Sequence, residues 1–350
     1  MDFNKYIPQY LKDALKGTMI TPSLIDGESS INGIKRDFSN VLYVSAPIIY
    51  DGGSDYQNVY VKVLRKQPFT IEIMKALVKF TFIQKMQLTN YLISYTELGI
   101  KQPKEKSYEK INKALSTLFR YRLIYVSYKT DSLETDKNIP FYALSDYGQK
   151  FIFLFKSQLK IHDYLDLYID SKLKKREPAI FERTWMMGDV YLAFRALDNY
   201  RGFKNYFPAA EFEFGSVNLF PSTGVFTLEI GEILYSFITY AILPDDNIKF
   251  FQDMRAKWGN YLNYISEDGK IDDATQYLKP KNLISRDNFC AFIVTTQKEA
   301  KRLSKVAESG AELIFIILEV IQEKGINQAI QLFSQGEFQA LNVTVRKGIK

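Results

Sequence analysis

The chain has 350 residues, 46% hydrophobic and 25% charged, with 24 Tyr and 26 Phe; this composition suits two or three folded domains with aromatic cores and excludes large-scale disorder. A single cysteine and a single histidine exclude a disulfide framework and cysteine zinc sites, and remove most schemes that need an imidazole. Formal net charge is +6, yet Val61 to Pro140 holds fifteen Lys/Arg against seven Asp/Glu, a net +8 that leaves −2 for the rest, so the positive field sits in one segment and points to a polyanionic partner.

Met1 to Lys16 mixes charges with apolar residues and lacks the continuous apolar stretch of a signal peptide. The longest apolar run that suggests a span, Leu313 to Leu318, is far short of the ~20 residues needed to cross a bilayer. A cytoplasmic protein with no membrane partner is therefore expected. Residues 1–68 form an N-terminal arm in which the apolar runs Asn40 to Tyr50 and Val59 to Leu64, separated by Asp51-Gly52-Gly53, predict a hairpin or loop.

Phe69 to Phe155 reads as three helices and a strand-loop-strand unit, within a domain of residues 69–170. Thr70 is the expected cap of a first helix whose Ile73, Met74, Leu77, Val78 and Phe80 recur at three- and four-residue spacing. A second helix carries Met86, Leu88, Tyr91 and Leu92. After a polar loop from Thr96 to Lys106, Ser107 is the expected N-cap of a third helix with Ile111, Leu115, Leu118 and Phe119 turned inward. Lys110, Lys113, Ser116, Thr117 and Arg120 lie off that stripe, so cations and hydroxyls face outward together, as contacts to phosphates and base edges require. Lys106 and Ser107 open the same helix.

Leu123 to Tyr128 is an expected strand, Lys129 to Asn138 a polar tip carrying Lys129 and Lys137, and Pro140 to Leu144 the returning strand. Together they predict a wing, and the whole segment a winged helix-turn-helix that binds double-stranded DNA. Such a module can also act as a protein-protein adaptor with its lysines merely solvated. Pairing of winged helices through symmetry makes a homodimer a further expectation.

Residues 171–178, Ser-Lys-Leu-Lys-Lys-Arg-Glu-Pro, read as a linker. Residues 179–350 mix the two element types: a helix over Glu182 to Asn199; strands near Glu211 to Phe214, Gly224 to Glu229 and Ile233 to Ile242; a helix over Ile248 to Ile265. Then follow a strand over Asn288 to Thr295, a helix over Lys298 to Glu308, a strand over Glu312 to Leu318 and a helix near Ile326 to Phe333. Phe203 to Phe207 alternates aromatic and polar residues and is expected at a core edge rather than stacked on single-stranded bases. Cys290, within Phe289 to Val294, is expected as a buried small side chain. Lys279 and Lys281 read as solvated surface. There is no Walker loop, Gly-x-Gly-x-x-Gly or Gly-x-Ser-x-Gly, and no cofactor is expected.

Several stretches in this order, Phe80-Thr81-Phe82-Ile83, Gln87-Leu88, Leu118 to Ile124 and Tyr142-x-Leu144-Ser145-x-x-Gly148, resemble the bacterial replication-relaxation family of plasmid and mobile-element proteins. Phe220 to Phe226, Lys257 with Tyr261, and Phe292 to Thr296 extend the resemblance. It implies a winged helix followed by a restriction-endonuclease-like α/β domain, with replication or relaxosome proteins as partners. The nuclease core of such a domain needs an acidic residue after proline and a second carboxylate with a lysine on the next strand, to hold a divalent ion and activate water. Here Ser222 follows Pro221, and Ile238 to Ile242 has no carboxylate. A degenerate, non-catalytic domain is expected, with no metal. A rearranged nuclease site built from Glu229 and Lys257, with Glu211 or Glu213, is the alternative.

Overall fold

The computed structural model describes residues 29–31, 34–36, 41–44, 56–60, 68–93, 104–131, 134–159, 180–195, 197–207, 213–214, 217–218, 222–230, 233–266, 287–307, 312–341 and 343. At some of these positions, Lys106, Ser107, Lys129 and Lys137 among them, only the backbone is described. The chain is a mixed α/β protein that divides into two compact units. One comprises Met1–Ser30 and Lys35–Pro178, the other Ile31–Ile34 and Ala179–Lys350.

Strands β1 (Ser29–Ile31) and β2 (Ile34–Arg36) are divided between the units at Ile31 and Ile34, and the first unit goes on through β3 (Val41–Val44), α1 (Tyr56–Val59) and α2 (Pro68–Phe80). Strand β4 (Ile83–Gln84) leads into α3 (Lys85–Ile93), α4 (Lys104–Arg120), β5 (Ile124–Asp131), β6 (Glu134–Leu144) and α5 (Asp146–Phe155). β3, β5, β6 and β4 form one four-stranded sheet in that order, antiparallel throughout. Ile73, Leu77 and Phe80 of α2, Leu88 and Tyr91 of α3, and Ile111, Leu115 and Leu118 of α4 are all buried with Val126, Phe141 and Tyr142 of the sheet. Phe80 meets Tyr91 edge to face at 5.3 Å, and Phe82 meets Phe141 at 6.4 Å, the offset geometry that aromatic quadrupoles favour.

Two helix starts differ from expectation. α2 begins at Pro68, whose fixed φ and missing N–H suit a first turn, so Thr70 is a buried residue inside the helix and not its cap. α4 begins at Lys104, directly after Pro103 in the sequence, and Ser107 is likewise inside the helix. It is in register with Ile111, Ala114 and Leu118, three buried positions. The wing tip also differs: β5 runs on to Asp131 and β6 starts at Glu134, with Lys129 opposite Ile139, so Lys129 and Lys137 belong to strands and not to a loop. Ladder bonds are made by backbone, and polar side chains do not prevent them.

The end of α4 and the start of α5 are built against each other. Arg122 has φ 60°, and the bonds Leu123 N–H to Leu118 O (2.9 Å) and Arg122 N–H to Phe119 O (2.9 Å) close a Schellman turn. Ser145 caps α5: its Oγ accepts from Gly148 N–H at 2.8 Å and donates to the Arg122 carbonyl. A Cβ at Gly148 would stand 1.9 Å from the Leu123 carbonyl oxygen, so only glycine fits there. Described parts of the arm pack within this unit. β3 pairs with the outer edge of β5, Tyr56 stacks on Tyr147 at 4.8 Å, and Tyr60 stacks on Phe155 at 4.9 Å. Val59 belongs to α1 rather than to an extended run, and residues 51–53 lie outside the described residues.

The second unit comprises α6 (Ile180–Phe194), β7 (Tyr200–Phe207), β8 (Glu213–Phe214), β9 (Val217–Asn218), β10 (Ser222–Ile230), β11 (Ile233–Ala241) and α7 (Ile248–Ser266). It continues through β12 (Asp287–Val294), α8 (Gln297–Ser304), β13 (Leu313–Ile317), α9 (Leu318–Lys324), α10 (Ile326–Ala329), β14 (Ile330–Ser334) and β15 (Glu337–Ala340). Its sheet has seven strands in the order β15-β14-β13-β12-β11-β10-β7, parallel from β11 to β13 and antiparallel elsewhere. Ile238, Tyr240, Phe292 and Phe315 face α7 and α8, whose Phe251, Met254, Ala300 and Leu303 fill that side. Alternation turns Phe226, Phe237 and Thr239 to the other face, where Phe194 and Met187 of α6 meet them. The helix expected over Ile326 to Phe333 stops at Ala329. A two-residue turn at Gln335 and Gly336, both at positive φ (53° and 87°), folds the rest into the β14-β15 hairpin.

Candidate nucleic-acid interface

The third helix of the first unit, α4, divides cleanly by side. Ile111, Ala114, Leu115, Leu118 and Phe119 are buried, whereas Lys110, Lys113 and Arg120 are exposed and Ser116 and Thr117 half-buried. At ~100° per residue, Lys106, Lys110, Lys113, Thr117 and Arg120 fall within an arc of about 80° opposite the buried stripe. The helix carries five cations, Lys104, Lys106, Lys110, Lys113 and Arg120, against two carboxylates, Glu105 and Glu109. Thr117 donates its hydroxyl to the Lys113 carbonyl at 2.9 Å, which leaves its oxygen available only as an acceptor. The structure thus brings Lys110, Lys113, Thr117 and Arg120 onto one outward stripe, with Ser116 at its margin. Ser107 is in register with the buried side. The side chains of Lys106, Ser107, Lys129 and Lys137 lie outside the described residues, as do all of His162, Glu211, Lys279 and Lys281.

In the second unit the two positions at which the resemblance implies carboxylates in a working nuclease carry other groups. Ser222 begins β10 opposite Phe207. Thr239 of β11 is fully buried, and its hydroxyl donates to the Gly224 carbonyl at 2.6 Å across the β10-β11 pair. Tyr240 and Ala241 are buried as well. Glu229 is bound by Arg201 and stands opposite Leu234, five residues along β11 from Thr239, or about 17 Å at strand rise. Glu213 and Lys257 have described backbone only, in β8 and α7. Among the described residues no three His, Cys, Asp or Glu side chains gather closely enough to hold a metal ion.

What occupies the carboxyl end of β11 is a buried ion pair. Arg183 of α6 donates to both carboxylate oxygens of Asp246 at 2.8 and 3.0 Å and to the Ala241 carbonyl, while its guanidinium lies 4.7 Å from the Phe250 ring. Asp246 Oδ2 also accepts from Leu243 N–H at 2.7 Å. This clasp ties α6 to the turn between β11 and α7. Cys290, expected to be buried, is half-buried against the core of this unit, and burial pushes its thiol above the ordinary cysteine range. Beyond the ends of β12 and β13 a cleft of about 590 Å³ is lined by Gln297, Lys301, Glu319, Lys324, Gln331 and Phe338. Its amides are already engaged: Gln297 Nε2 donates to Gln331 Oε1 at 3.0 Å, and Gln297 N–H to Glu319 Oε2 at 2.9 Å. No sequence motif marks the exposed Lys298 and Lys301 on α8 and Lys305 just after it, and their spacing of three and four residues is the available signal.

No family model matches the chain, and no curated protein matches it. Among solved structures it is similar to the restriction endonuclease FokI bound to DNA, at 14% identity and a TM-score of 0.25, over 74% of this chain and 44% of that one. FokI solved as the endonuclease alone gives 14% identity and a TM-score of 0.24, over 76% and 43%. The chain thus spans less than half the length of FokI, and a likeness that slight carries no argument about fold or function. Among the described residues no helix is long and apolar enough to cross a membrane.

Proposed function

We propose that this is a non-enzymatic double-stranded-DNA-binding protein of a plasmid or other mobile element, acting in replication, transfer or transcriptional control. In this account the first unit is a winged helix-turn-helix in which α4 enters the major groove and the β5-β6 hairpin grips the backbone. The observation that carries it is the outward stripe of α4, where exposed Lys110, Lys113 and Arg120 stand opposite the buried Ile111, Leu115 and Leu118. The order helix, short strand, helix, helix, hairpin, with β5, β6 and β4 adjacent in one sheet, supports the same assignment. Retention of a random duplex in a gel shift at low salt tests it, comparing the parent with Lys110→Ala/Lys113→Ala/Arg120→Ala. The parent is expected to bind and the triple variant to bind much more weakly. Equal binding by both overturns the role of α4.

The second unit is proposed to be a restriction-endonuclease-like domain without a working site. Support comes from Ser222 and from buried Thr239, Tyr240 and Ala241, none of which supplies a carboxylate to a divalent ion. Further support is the engagement of Glu229 by Arg201, a strand's length from those positions. Incubating supercoiled DNA with the protein and magnesium or manganese is expected to leave it uncut. Nicking that disappears in Glu229→Ala would establish an enzyme instead.

A further inference from the structure

We propose that α8 of the second unit is an additional, sequence-independent contact for the phosphate backbone of duplex DNA, a proposal that rests on the DNA-binding function argued above. Lys298, Lys301 and Lys305 are all exposed, and their spacing places them on one face of α8 and the residue after it, away from buried Glu299, Ala300, Leu303 and Ser304. None of the three lysines has an ion-pair partner among the described residues. From Gln297 to Lys305 the chain carries four cations and one carboxylate. That carboxylate does not cancel the row, because Arg302 holds Glu299 through bonds from Nε to both of its oxygens at 3.0 Å. The same contact raises the Arg302 pKa above its ordinary value. Arg302 also reaches the Asp246 carbonyl at 3.5 Å, beside the turn that precedes α7.

The shape of this charge selects the partner. A small anion is held by donors converging on a pocket, whereas these three lysines succeed one another along one helix face. Seven residues of helix span about 10 Å, and duplex DNA carries one phosphate charge per about 1.7 Å of its axis, so the row matches a continuous polyanion. Lys301 also borders the cleft, whose lining includes Glu319, Glu323 and Glu337, and forms an ion pair with none of the three. Lysine serves here as a point charge without bidentate geometry, suited to phosphates and not to base edges. Because the two units are parts of one chain, even a weak second contact strengthens the whole by raising the local concentration of phosphates at α8.

The test uses the full chain, two unrelated duplexes of equal length, and titrations over a range of salt. In Lys298→Gln/Lys301→Gln/Lys305→Gln, affinity at moderate salt is expected to fall on the order of tenfold on both duplexes, and the slope of log affinity against log salt to become shallower by about 2 to 3. Lys298→Arg/Lys301→Arg/Lys305→Arg should bind as the parent does, and the thermal midpoint should be unchanged in each. If the glutamine variant keeps the parent's affinity and slope while the α4 triple variant loses them, the α8 contact is wrong and the function proposed above stands. If the parent retains neither duplex at low salt, both fall. A loss confined to one duplex, or equal loss in the arginine variant, also overturns a phosphate contact made by charge alone.

Discussion

Gly148 shows how a single residue decides a junction. The stretch Tyr142-x-Leu144-Ser145-x-x-Gly148 is visible in the sequence as a pattern, but its cause is spatial: the α5 backbone presses against the Leu123 carbonyl that follows the α4 Schellman turn. Gly148→Ala puts a methyl group 1.9 Å from that oxygen, and backbone on both sides must move. We expect a loss of about 3 kcal/mol or more, read as a lower denaturant midpoint in equilibrium unfolding. A variant as stable as the parent would show that α5 does not pack there. Thr81 and Arg122 are harder to read from sequence, since both hold positive φ (64° and 60°) where a glycine would ordinarily advertise the turn.

At the scale of elements, periodicity carried most of the information. The inward faces of α2, α3 and α4 follow from apolar spacing alone, because the stripe that a helix buries is set by its 3.6-residue repeat. Helix starts were less legible: Thr70 and Ser107 are good capping residues by type, yet Pro68 begins α2 and α4 starts two residues after Gln102, directly following Pro103. The β14-β15 hairpin was hidden for a different reason. Ile330 to Ser334 is an apolar run too short to separate strand from helix by period, and the turn signal at Gln335-Gly336 lies beyond it. No sequence pattern announces the Arg183-Asp246 clasp, which joins residues 63 apart. Asp246→Ala leaves the Arg183 guanidinium buried without its counter-charge, and a loss of about 3 to 5 kcal/mol is expected in the same unfolding measurement. A loss below about 1 kcal/mol would mean that water or a rearranged neighbour replaces the carboxylate.

For the molecule as a whole, the sequence exposes the uneven charge, because that is a property of composition along the chain. It did not expose that the N-terminal arm adds β3 to the edge of β5 and stacks Tyr56 and Tyr60 on α5, since strand pairing and ring stacking between distant segments leave no local signature. Nor did it mark the row of lysines on α8. Whether the outward face of α4 lies against duplex DNA, as proposed, is open to site-specific photo-crosslinking. Benzoylphenylalanine replaces Ser116 on α4 in one variant and the exposed Phe153 on α5 in another, each irradiated with a labelled duplex. The crosslink from position 116 is expected to exceed that from position 153 by far. No crosslink from position 116, or equal yields from both, would contradict the proposed contact.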